Sequence, residues 1–71
     1  MRLIECIAQT TTSDRKATID LDKVFAIERS ENGYADVMFI GSSVRTDIPY
    51  EKAVSLWENY RPENGVTAKF D

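Results

Sequence analysis

Hydrophobic and polar residues alternate along five stretches of this chain, and the spacing then becomes helical. From Arg2 to Ala8, Leu3, Glu5 and Ile7 fall on one face, and Ile4, Cys6 and Ala8 on the other. The second set is uniformly apolar, and the pattern predicts a first strand. Residues 9–16 contain no apolar side chain and read as a flexible polar loop. Ala17 to Leu21 resumes the alternation with Ile19 and Leu21 together, and a bend is expected at Asp22-Lys23. Val24 to Arg29 continues as a strand with Phe25 and Ile27 on one face. Asn32-Gly33 then carries the composition of a type I′ hairpin turn. Tyr34 to Ile40 follows with Val37 and Phe39 on one face, and Tyr34, Asp36, Met38 and Ile40 on the other. Gly41-Ser42-Ser43 is the next expected turn, and Val44, Thr46 and Ile48 share a face of the strand after it.

At Pro49 the period changes. Tyr50, Ala53, Val54, Trp57 and Tyr60 recur at helical spacing, with Pro49 suited to the first turn, where its missing N–H costs nothing. Arg61-Pro62 stops the helix, since a residue before proline avoids the α region. The tail, 62–71, offers a second Asn-Gly turn and room for a short last strand. The fold predicted is α+β: one domain over 1–71, a small antiparallel sheet of four to five strands with one C-terminal amphipathic helix on one face. Its expected core is Ile4, Ile19, Phe25, Ile27, Val37, Phe39, Val44, Ile48, Ala53, Leu56, Trp57 and Tyr60.

One helix covers one face of such a sheet. Met38 and Ile40 then lie on the uncovered side, and two readings stand. Either they are ordinary exposed apolar side chains, or with Tyr34 they form an interface for a second copy or another protein.

Composition changes this picture by subtraction. A 71-residue chain buries only about 60% of the surface its unfolded form exposes, so its core is thin. With a single cysteine and no histidine, disulfide and zinc staples within one chain are both excluded, which leaves self-association as the expected supplement. The net charge of −3, with Arg15-Lys16 the only adjacent basic pair, lacks the basic footprint of a duplex binder. No apolar run approaches the ~20 residues of a membrane span, and the N-terminus lacks a signal h-region. A cytoplasmic location follows as the expectation, with no membrane partner.

Candidate chemistry is sparse. Without histidine the usual base beside a nucleophile is missing, and Cys6, in an apolar strand, reads as a buried inert thiol. Asp20 and Asp22 bracket Leu21, but Lys23-Val24-Phe25 breaks the spacing of a calcium loop, so a solvated bend is expected. Gly33, Gly41 and Gly65 stand alone at turns and build no phosphate loop. No catalytic residue, cofactor or metal is expected. Arg29, Tyr34 and Arg45 are the one set that resembles a single-strand nucleic-acid platform.

The run Ile19-Asp20-Leu21-Asp22-Lys23-Val24-Phe25-Ala26-Ile27-Glu28, with the hairpin, strand and helix after it, resembles the small flagellar-operon proteins of the FlbD type and parts of LytTR-type DNA-binding domains. The likeness is one of apolar spacing over the central half of the chain. The basic residues that a LytTR-type domain brings to DNA are absent, and no functional residue is carried across. The leading expectation is a non-enzymatic interaction module, self-associating or binding another protein, of the kind that suits a bacterial or phage accessory protein. The alternatives are a weak single-strand nucleic-acid or regulatory binder and a small-molecule-binding oligomer.

Overall fold

The computed structural model describes residues 1–61 and the backbone of a short strand at Ala68–Lys69. The chain runs β1 (Leu3–Gln9), β2 (Asp14–Asp20), a 3-10 turn (Leu21–Lys23), β3 (Ala26–Arg29), β4 (Tyr34–Phe39), β5 (Ser42–Pro49), α1 (Tyr50–Asn59) and β6 (Ala68–Lys69). Five strands form an antiparallel sheet in the order β2-β1-β5-β4-β3, and β6 adds in parallel to β1. The helix lies against β3, β4 and β5. This is the α+β arrangement that the alternation predicts.

The polar run 9–16 is more ordered than its composition suggests. Gln9 closes β1, and Asp14, Arg15 and Lys16 pair with Gln9, Ala8 and Ile7 as the first residues of β2. Only Thr10–Ser13 turns. The Thr10 hydroxyl donates to the Ser13 carbonyl and accepts from the N–H groups of Thr12 and Ser13 (3.3 and 2.9 Å). β2 is an edge strand, where main-chain pairing does not require apolar side chains and charged ones discourage further pairing.

Two other turns also differ from expectation. Gly33 N–H donates to the Ser30 carbonyl (3.0 Å) and Ser30 N–H to that of Tyr34 (2.9 Å), so the β3–β4 loop holds three residues, with Gly33 at φ +90°. This is the three-residue alternative to a type I′ turn, in which the glycine supplies the left-handed position. The β4–β5 turn is Ile40-Gly41, one step earlier than Gly41-Ser42-Ser43, because Phe39 already pairs with Ser42. Gly41 takes the positive φ of +83° that this tight connection requires.

β5 carries an irregularity. Tyr34 pairs with Pro49 and Asp36 with Arg45, so Thr46, Asp47 and Ile48 together stand opposite Ala35. Two side chains replace the ladder there. Thr46, fully buried, donates its hydroxyl to the Ala35 carbonyl (2.9 Å) and accepts from Ile48 N–H (3.2 Å). Asp47 reaches the other way and accepts from Ile7 N–H of β1 (3.0 Å). Beyond that, β1 and β5 share the single pair Ala8–Thr46. The bulge therefore marks the seam between a β1–β2 half and a β3–β4–β5 half.

Ile4, Cys6, Ile19, Leu21, Val24, Ala35, Val37, Ile48 and Ala53 form one buried cluster, with Ile27, Phe39, Leu56, Trp57 and Tyr60 packed against it. Two of the expected core residues fall outside it: Phe25 is 62% exposed, and Val44 is half-buried and apart from the cluster. The 3-10 turn resets the alternation, so Val24 dips into the core beside Leu21 and β3 begins only at Ala26. Pro49 is the N-cap of α1, and Tyr50 N–H, one of the helix's free donors, reaches the Gly33 carbonyl (3.0 Å). At the other end no basic residue sits in the last turn. Arg2 supplies the charge instead, its Nη1 donating to the carbonyls of Trp57 (2.8 Å) and Tyr60 (3.2 Å) and its Nε to Asp22 (2.7 Å). Residues 62–67 and 70–71 lie outside the described residues, and with them most of the predicted tail.

Candidate interaction face

The face of the sheet away from the helix is set by strand register. Ala26 stands opposite Met38, Glu28 opposite Asp36, and on the other side Asp36 opposite Arg45 and Met38 opposite Ser43. β1 contributes Leu3, Glu5, Ile7 and Gln9, facing Asp20, Thr18, Lys16 and Asp14 of β2. Charge pairs therefore alternate with apolar positions across this face.

The predicted interface residues do not gather in one patch. Met38 and Ile40 sit at one end of β4 and Tyr34 at the other, beside Pro49. Four residue steps along the strand separate Tyr34 from Met38, about 13 Å. Ile40 belongs to the turn rather than to the strand face and is 94% exposed. A residue that apolar pattern alone placed in the core joins this corner instead: Phe25 N–H donates to the Met38 carbonyl (3.1 Å). Phe25 therefore lies at the end of the ladder where β3 begins and β4 ends, with Ala26 across from Met38 and Ile40 in the turn that follows. The signal for Phe25 was Asp22-Lys23, whose bend breaks the phase of the strand after it.

Arg29, Tyr34 and Arg45 fare differently. Arg29 and Arg45 line a common hollow of about 500 Å³ with Ser30, Glu31 and Asn32, and Tyr34 is not among its walls. Arg45 is engaged: its Nε and Nη2 donate to the two carboxylate oxygens of Asp36 (3.1 and 3.4 Å). The Asp36 bonds and charge, with Glu31 nearby, raise the guanidinium's hold on its proton above the ordinary value. A second hollow, about 610 Å³, lies between Gln9, Thr10, Thr11 and Asp14 on one wall and Asn32, Asp36, Ser43 and Arg45 on the other. Its walls are polar, and both signs of charge are already present.

Cys6 is buried, and burial first and the Asp47 carboxylate second push its thiol up to about 11. At neutral pH it is protonated and shielded, the opposite of a reactive thiolate. Asp22 moves the other way, held below its ordinary value by the hydrogen bond from Arg2. Among the described residues no group of three or more His, Cys, Asp or Glu side chains is placed to hold a metal ion. No described helix is long and apolar enough to cross a membrane. Comparison of the chain with protein families, curated proteins and solved structures finds no match.

Proposed function

We propose that this chain is a non-enzymatic interaction module of the cytoplasm whose first partner is a second copy, engaged through the Phe25–Met38–Ile40 corner. The observation that supports the reading is that two large, exposed apolar residues, Phe25 and Ile40, and half-buried Met38 all lie at the same end of the β3–β4 ladder. Single exposed apolar residues need no explanation, whereas several at one end of a sheet fit a contact surface. The thin core of a small domain supports the same reading, because association that favours the folded state adds to its stability.

One observation favours the nucleic-acid reading: Arg29 and Arg45 share a hollow. The bidentate pairing of Arg45 with Asp36 and the presence of Glu31 weigh against it, since a phosphate would meet one unneutralised arginine among carboxylates.

The test is molar mass by light scattering over a concentration series, for the wild type and for Met38→Glu and Ile40→Asp. A wild-type dimer that both substitutions convert to folded monomers is the expected result. A wild type that stays monomeric at every concentration refutes the self-association reading. Salt-sensitive binding of an oligonucleotide, lost in Arg29→Glu, is the result that would transfer the function to the other hollow.

A further inference from the structure

β1 has two edges with different fates. Along one, every residue from Leu3 to Gln9 pairs with β2. Along the other, β5 pairs only at Ala8, because the bulge turns Thr46 toward Ala35 and leaves Asp47 to satisfy Ile7 N–H through its carboxylate. β5 then ends at Pro49, which has no N–H to offer, and passes directly into α1. No residue of β5 is in register with the first half of β1 on this side. Ala68–Lys69 fills this slot in parallel, Ala68 beside Ile4 and Lys69 beside Glu5.

We infer that this slot is a strand-exchange site, able to take the Ala68–Lys69 segment of a second copy in place of its own. Three observations carry the inference. Among the described residues the filling strand has two residues and pairs with β1 alone, so this contact is short. Its pairing surface is main chain, so the same bonds form whether the segment comes from the same chain or another; exchange of an identical element is a low-cost route to dimers. Eight residues, 60–67, separate the end of α1 from β6. Such a length can span at most about 28 Å, more than the 23 and 20 Å of the molecule's two shorter axes. Tyr60 is also tethered next to the start of β1 by Arg2, so this reach begins at the slot itself.

Exchange through β1 is independent of the corner around Met38, and the experiment keeps the two apart. Glu5→Cys and Lys69→Cys are made as separate chains in a Cys6→Ala background, one of them isotopically heavy. They are mixed over a concentration series and treated with a short thiol-to-thiol crosslinker. Intact mass reads the light–heavy product. Exchange predicts a mixed product several-fold above that of a Lys23→Cys and Lys69→Cys control pair, rising with concentration. It also predicts loss of the product when Ala68→Pro is added to the Lys69→Cys chain, since proline removes a strand N–H. Adding Met38→Glu to both chains should leave the product intact, because the crosslinker traps an exchanged minority too small to change the mean molar mass. Mixed product at the control level, with the double variant Glu5→Cys/Lys69→Cys crosslinking only within itself at every concentration, overturns the inference.

Discussion

Thr46 and Asp47 are neighbours on β5, and each replaces a rung of the sheet with a side chain. The Thr46 hydroxyl serves Ala35 and Ile48, and the Asp47 carboxylate serves Ile7. Asp47 has a further consequence for Cys6, whose thiol is raised by burial and by that carboxylate to about 11. The sign of the linked effect follows. A thiol whose folded value exceeds its unfolded one favours folding while it is protonated, fully below pH 9 and decreasingly as pH rises through 11. Relative to Cys6→Ala, the wild type should therefore lose stability between these limits, by about 3 kcal/mol in all. Denaturant titrations of both proteins along a pH series measure the difference. In Asp47→Asn, which keeps an oxygen for Ile7 N–H, the thiolate absorbance should appear at lower pH but still above the ordinary cysteine value, because burial is the larger cause. An unshifted thiolate in the wild type would contradict the buried placement.

At the scale of elements, α1 and the segment that leads into β3 make the sharpest contrast. Trp57 lies on the helix face packed against the core, while Phe25, the same kind of bulky aromatic, lies outside it. Trp57→Ala should cost about 2–3 kcal/mol, less than full burial would give, and Phe25→Ala within about 0.5 kcal/mol. Urea melts of the two variants decide it, and equal losses would mean that β3 keeps the uninterrupted phase. That contrast also shows what the sequence made legible. Long alternations such as Ile4–Cys6, Ile19–Leu21 and Val37–Phe39 carried their inward faces correctly, since a one-residue slip would have buried charges. Tyr50–Tyr60 announced itself by period and by Pro49. Errors arose where a local device overrode the period. A 3-10 turn reset Phe25, a hydroxyl-bonded turn let Asp14–Lys16 join β2, and the β5 bulge left no trace in the apolar pattern. For the candidate face, the outward side of Met38 was legible from alternation, whereas Ile40 is exposed because it belongs to the turn. The pairing of Arg45 with Asp36 and the arrival of Phe25 depend on register between strands, which a single chain's pattern does not encode.

For the whole molecule, thin burial and an exposed apolar corner have one joint consequence. A domain of this size has little core to spare, and a partner that binds only the folded state raises the apparent stability by an amount that grows with its concentration. If the Phe25–Met38–Ile40 corner closes against a second copy, the melting temperature should rise with protein concentration. Each tenfold increase above the dimer's dissociation constant then adds about 1.4 kcal/mol per dimer formed. Because the corner is apolar, the rise should persist at high salt, where contacts between exposed charges are screened. Met38→Glu places a charge in that corner without entering the buried cluster, so its melting temperature should match the wild type's at the lowest concentration and stay flat above it. Scanning calorimetry across the series reads both. A wild-type melt independent of concentration removes the association, and a rise that vanishes with added salt moves the contact from the apolar corner to the charged residues around Arg45 and Asp36.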